Sequence, residues 1–119
     1  MDDKTLLRLS VVIAVAGLVS LIAAAQLAEP MKIPISKIDE NLIGRGIEVN
    51  GTVESISVKD GNIFIRITDG SNGIDVVMFK QDANDDAYAI KEGDSIVVMG
   101  KVNFYRNSLE IVANSLRHI

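Results

Sequence analysis

From residue 47 onward apolar and polar positions alternate, and the alternation divides the chain into five predicted strands. In "IEVNGTVE", residues 47–54, Ile47, Val49 and Val53 fall on one face and Glu48, Asn50, Thr52 and Glu54 on the other, the period of two that marks a half-buried strand. The apolar set then moves to Ile56 and Val58, a one-residue slip that predicts a β-bulge near residues 53–56 and a bent strand. "KDG" at 59–61 has hairpin-turn chemistry and leads into a second strand at 62–68, where Ile63, Ile65 and Ile67 share one face and Phe64 and Arg66 the other. "DGSNG" separates it from a third strand at 74–79. The fourth lies in "DSIVVMGKVNFY", with Ile96, Val98, Val102 and Phe104 inward, and the fifth in "SLEIVANSL", with Leu109, Ile111 and Ala113 on one side. Between the third and fourth, "QDANDDAYAIKEGD" is polar apart from Tyr88 and Ile90 and suits a short helix or lid over one end of a barrel.

The leader has a different pattern. Residues 9–25 carry neither charge nor proline, and as a helix they reach about 26 Å at ~1.5 Å per residue. With Leu6, Leu7, Leu27 and Ala28 added, and Arg8 snorkelling at one end, the span approaches the roughly 30 Å of bilayer hydrocarbon. Residues 1–28 are therefore expected to be a transmembrane helix or uncleaved signal anchor, meeting lipid through residues 6–28. Two rivals stand beside this reading. Ala23 and Ala25 have the small-x-small spacing of a signal-peptide cleavage site, and an all-apolar helix can also be buried in a large enough globule. Arg8 against the helix, with Glu29 and Pro30 at its far end, favours a cytoplasmic N-terminus and an extracytoplasmic domain in a single-pass protein of the cell membrane. Residues 29–46, with Pro30 and Pro34 opposing continued helix, read as a short, stiff connector, and residues 47–119 as the folded domain.

The first and fourth strands share I-x-V-x-G-x-V, and glycine inside a strand is unfavourable unless the backbone curls or packs closely, as at Gly51 and Gly100 when a sheet closes on itself. Five strands, a bent first one and a small helix between the third and fourth give an all-β fold, the five-stranded Greek-key OB-fold barrel, which holds oligonucleotides and oligosaccharides. The stretches "LIGRGIEVNGTVESISVKDGNIFIRITDGSNGIDVVMF" and "GDSIVVMGKVNFYRNSLEIV" resemble the OB-fold anticodon-binding and helicase-type nucleic-acid-binding domains, over about residues 38–117. The resemblance implies that an aromatic on the second strand, here Phe64, stacks on a base. It also implies a polar base-reading position on the third strand, which falls on Asp75 or Val76.

Composition narrows the chemistry. There is no cysteine and one histidine, His118, so disulfides, thiolate nucleophiles and zinc clusters are excluded. Residues 29–119 hold ten Lys and Arg against fourteen Asp and Glu, the wrong sign for a protein that coats nucleic acid through phosphate neutralisation. Any such contact is expected to be local. The candidate ligand-binding residues are Phe64, Arg66 and Thr68 on the second strand, with Tyr105 and Arg106 at the last hairpin and Lys59, Lys80 and Lys101 as supplementary cations. Alternatively, Phe64 covers a barrel edge or packs on the connector, while Arg66 pairs with Glu54 across the sheet. Asp69 reads as a turn-former. Asp82, Asp85 and Asp86 lack the glycine and terminal glutamate of a calcium loop, and Asn50-Gly51-Thr52, a glycosylation pattern, lies mid-strand. Membrane-anchored OB barrels of cytochrome maturation are similar in layout, but His118 is followed only by Ile119, which leaves no haem-attachment motif. No cofactor, no metal and no enzymatic activity are expected. Two functions follow: a membrane-tethered module that binds single-stranded nucleic acid, or an extracytoplasmic protein-interaction or envelope-assembly module that uses the same barrel.

Overall fold

In the computed structural model, which describes residues 3–5, 8, 10–16 and 29–119, the strands are β1 (Met31–Lys32), β2 (Gly46–Lys59), β3 (Asn62–Thr68), β4 (Gly73–Met78), β5 (Ser95–Tyr105) and β6 (Ser108–His118). The five long strands close into a barrel because β2 is long enough to pair twice. Its first half runs antiparallel to β5, from Gly46 opposite Lys101 to Thr52 opposite Ser95, and its second half antiparallel to β3. The register slips between Val53 and Ser55, where the alternation predicts the bulge, and this bend lets one strand serve two walls. β4 continues from β3, β6 pairs with β5, and a short parallel contact between Asp75–Val77 and Glu110–Val112 shuts the barrel.

Inward alternation supplies the core. Ile47, Val49, Ile63, Ile67, Ile96, Val98, Val102 and Ile111 are essentially removed from solvent, each burial contributing about 1.5–3 kcal/mol. The helical turn Asp85–Tyr88, between β4 and β5 as expected, is capped by Asn84, whose side chain accepts a hydrogen bond from the Ala87 amide at 3.0 Å. Ala87 and Ile90 close one end of the core.

Two inward assignments are corrected. Val58 and Phe104 follow the apolar phase of their strands, yet they are 53% and 47% exposed. β2 pairs with β5 only as far as Thr52, and β5 with β2 only as far as Lys101; Val53 and Val102, just past those points, are still buried, but toward the hairpin tips at Val58 and Phe104 each strand pair runs out past the doubly paired wall and the inward phase no longer brings burial.

Residues 29–46 do more than connect. β1 adds in parallel beside Ile47 and Glu48, and the Ile33 amide donates to the Glu48 carbonyl at 3.1 Å. Ile35 is buried in the core, with Ile33, Ile38 and Leu42 packed against it. Pro34 thus starts one short 3-10 turn, Ile35–Lys37, and Asp39, whose side chain accepts from the Asn41 amide, caps a second, Glu40–Leu42.

Residues 3–5, 8 and 10–16 are helical. Among the described residues no helix is long and apolar enough to cross a membrane; most of the expected span, residues 6–28, lies outside them.

The barrel's C-terminus is pinned to the start of β5. Asp94 Oδ2 lies 2.9 Å from His118 Nε2 and accepts from the Lys91 amide at 2.8 Å; the hydrogen bond from His118, then that from Lys91, holds the Asp94 carboxyl below its ordinary value of 3.8. A carboxylate depressed on folding stabilises above its unfolded pKa, and that contribution disappears as pH falls through the folded one. Asp94→Asn is therefore expected to lower the urea midpoint at neutral pH, with the gap from wild type closing as pH falls below about 4. A gap that persists at acid pH contradicts this role.

Candidate functional site

Of the three hairpin turns, the β3–β4 turn spans residues 69–72, whereas those joining β2 to β3 and β5 to β6 are two residues long with left-handed backbones, Asp60 and Gly61 at φ 53° and 83° and Arg106 and Asn107 at φ 50° and 63°. This is the geometry whose twist matches that of the flanking strands. Short turns keep the register strict, so outward-facing residues line up across the barrel wall. One row runs Ser57–Phe64–Val77–Val112, and the next Ser55–Arg66–Asp75–Glu110–Asn103. An aromatic and aliphatic row thus lies beside a polar and charged one.

Between these rows and the β5–β6 hairpin runs an open groove of about 470 Å³, lined by Phe64, Arg66, Asp75, Val77, Tyr105, Arg106 and Glu110 among others. The chain has three Phe, two Tyr and no Trp, and all five aromatics are between 42% and 53% exposed. Since the core is aliphatic throughout, the rings on the outer surface are not there to fill it. Phe64 lies on the floor of the groove, where it shares its register position with the nearly buried Val77. Tyr105 stands across from it, with the Arg106 guanidinium 5.2 Å from its ring centroid, within the range of a cation–π contact.

Arg66 is held by two carboxylates: its Nη1 donates to Asp75 Oδ1 at 2.9 Å, and its Nε is 3.6 Å from Glu54 Oε2. The Glu54 pairing given as the alternative role of Arg66 is therefore present, together with a second partner. All three side chains are about half exposed, so each pair contributes about 0–1 kcal/mol, and a ligand can displace either at small cost. On the Asp75 row, Asn103 Nδ2 donates to Glu110 Oε1 at 3.1 Å.

The groove therefore gathers Phe64, Arg66, Tyr105 and Arg106 but not Thr68. The Thr68 hydroxyl donates to the Asn72 carbonyl and accepts from the Gly70 amide, both at 3.0 Å, which commits it to the β3–β4 turn. Asp69 shares that turn. The Asn72 and Ser71 amides, which donate to its carboxylate at 2.7 and 2.9 Å, hold it below the ordinary carboxylate range. Lys59, Lys80 and Lys101 do not line the groove. The Lys80 stem packs on Gly61, and Lys101 borders a separate depression beside Ile43 and Val102. Sequence reasoning missed Glu110 and Val77. Glu110 is outward by simple alternation from Ile111, but only the parallel β4–β6 pairing brings it beside Asp75.

A model of the family described as an OB-fold nucleic acid binding domain matches residues 47–119. The Exodeoxyribonuclease 7 large subunit of Synechococcus sp. (strain CC9605) is 34% identical over 71 residues, covering 58% of this chain and 18% of that protein. The chain spans about a fifth of the length of the curated relatives it matches. Among solved structures, the asparaginyl-tRNA synthetase from Pyrococcus horikoshii superposes with a TM-score of 0.66 at 20% identity, covering 76% of this chain and 23% of that one. A replication protein A heterotrimer bound to ssDNA superposes at 0.54 and 22% identity, covering 65% and 58%. At these identities the likeness is one of fold.

Proposed function

The chain belongs to the OB-fold nucleic acid binding domain family, and from that membership we propose that its outer groove binds single-stranded nucleic acid, with a base stacked on Phe64 and flanked by Tyr105, Arg66 and Arg106. The observation that carries the reading is the pair of exposed rings, Phe64 and Tyr105, lining one groove in a protein whose core uses no aromatic. A base on such a ring gains about 1–3 kcal/mol with little regard to sequence. The proposal is of a binding module without catalysis of its own.

Charge sets the character of the binding. The groove offers two cations, Arg66 and Arg106, against Asp75 and Glu110, so stacking rather than phosphate neutralisation supplies the affinity. For single strands the slope of log K against log salt is about −0.7 per phosphate neutralised. Two arginines therefore predict a slope no steeper than about −1.4 in fluorescence-anisotropy titrations across a salt series; a steeper slope means that lysines outside the groove are engaged. The direct test is an NMR titration with a short single-stranded oligonucleotide, with shifts expected at Phe64, Arg66 and Tyr105. Unchanged spectra at low salt would sink the proposal.

The acidic balance of residues 29–119, ten Lys and Arg against fourteen Asp and Glu, favours one second reading, a protein partner on the same groove, because a surface of that sign repels a polyanion beyond the groove itself. Attachment to a lipid bilayer through residues 6–28, with the domain extracytoplasmic, is the remaining part of the proposal. Its support is the uncharged run at 9–25 and the exposure of Val11, Val12, Ile13 and Val15 on the described helical residues. Protease accessibility in intact cells tests the side.

A further inference from the structure

The groove does not end at Arg66. Beyond that side chain lies a second depression of about 290 Å³, lined by Ile35, Ile38, Gly73, Ile74 and Leu109 and sharing Arg66, Asp75 and Ser108 with the first. Its outer wall comes from the segment before β2, which precedes the family match at residue 47. Ile35 is anchored in the core and Ile38 is half-buried against it, so this wall is held in place by packing.

Arg66 stands between the two spaces, and its nitrogens are divided between them. Nη1 and Nε face Asp75 and Glu54. Those two nitrogens make the approaches to the carboxylates, whereas Nη2 lies 3.0 Å from where a side chain on residue 73 would begin. Because residue 73 is glycine, the guanidinium lies over bare backbone, and that nitrogen sits at the wall of the second depression, which Arg66 and Gly73 both line. The row of Phe64 and the row of Gly73 are four residues apart along β3, about 13 Å at ~3.3 Å per residue, which is room for more than one nucleotide.

We propose that the second depression is a further nucleotide seat built by the N-terminal segment: a base or sugar rests on Ile38 and Leu109, and Arg66 Nη2 donates to a phosphate linking it to the base on Phe64. This rests on the groove reading above and adds to it that residues 33–38 are part of the binding surface and set the length of strand recognised.

The test compares a nucleoside monophosphate with a trinucleotide of the same base, titrated into full-length protein. Wild type is expected to bind the trinucleotide about tenfold or more tightly than the monophosphate. Ile38→Asp should remove most of that gain and leave monophosphate affinity unchanged, which also reports that the barrel is folded. Gly73→Ala, whose new methyl would press on the guanidinium of Arg66 at 3.0 Å and on the Ile67 carbonyl oxygen at 3.2 Å, should reduce the same gain, with a urea midpoint measured alongside to separate any loss of stability from the loss of the seat. In wild type, the Ile38 and Leu109 methyl resonances should move with the trinucleotide and not with the monophosphate. Equal affinity for both lengths, or still methyls, overturns the second seat alone. Binding of neither length overturns the groove reading and the seat together.

Discussion

Gly100→Ala is expected to destabilise the barrel by about 3 kcal/mol or more, at or above the upper end of what overpacking costs. A side chain at residue 100 would run into the Val112 carbonyl oxygen and lie 2.7 Å from the Ala113 Cα. Those are backbone atoms of β6, at the point where the β5–β6 register slips between Met99 and Gly100, and no rotamer change moves them aside. Out of a total stability of about 5–15 kcal/mol, such a loss is large. The comparison that gives the prediction its edge is Gly51→Ala. Gly51 holds the equivalent place in the I-x-V-x-G-x-V repeat, yet its new Cβ would meet only the Ile67 side chain, at 3.0–3.4 Å, and the cost should be about 1 kcal/mol. Urea midpoints at constant slope measure both. Equal losses would show that the close approach of β6 is not what requires glycine at residue 100.

Phe64→Ala is expected to weaken binding of a short single-stranded oligonucleotide by about 5- to 150-fold, the equivalent of losing one stacked base. Its stability should shift far less than that of a core variant, because the ring is 43% exposed and large losses come from fully packed positions. Phe64→Tyr, which keeps the ring, should retain most of the affinity, whereas Phe64→Leu, which keeps bulk but loses the flat face, should not. An affinity indifferent to all three substitutions removes Phe64 from the site.

Much of the barrel could be read from alternation because a barrel wall has only two sides. Ile63, Ile65 and Ile67 are buried, and Phe64 and Arg66 face outward, as a period of two demands. The bulge was visible as a phase slip, since one extra residue turns every later side chain to the other face. Phe104 and Val58 were misplaced because periodicity states which face a residue occupies and not whether anything covers that face. Pro30 and Pro34 give the segment at 29–46 the pattern of a connector. Its pairing with β2 and the burial of Ile35 depend on a groove in the barrel that exists only after the barrel has closed.

The candidate site divides the same way. Legible along the chain were the five long strands, their turns, most of the inward set and the outward placement of Phe64 and Arg66, because each depends on neighbours a few residues away. Closure of the sheet is what adds Asp75 to Glu54 on the Arg66 guanidinium, puts Glu110 beside Asp75 and makes Gly100 and Gly51 differ in what they avoid. Those facts depend on strand register and on distances between residues far apart in sequence. Such distances are set by closure of the whole sheet, and no local pattern records them.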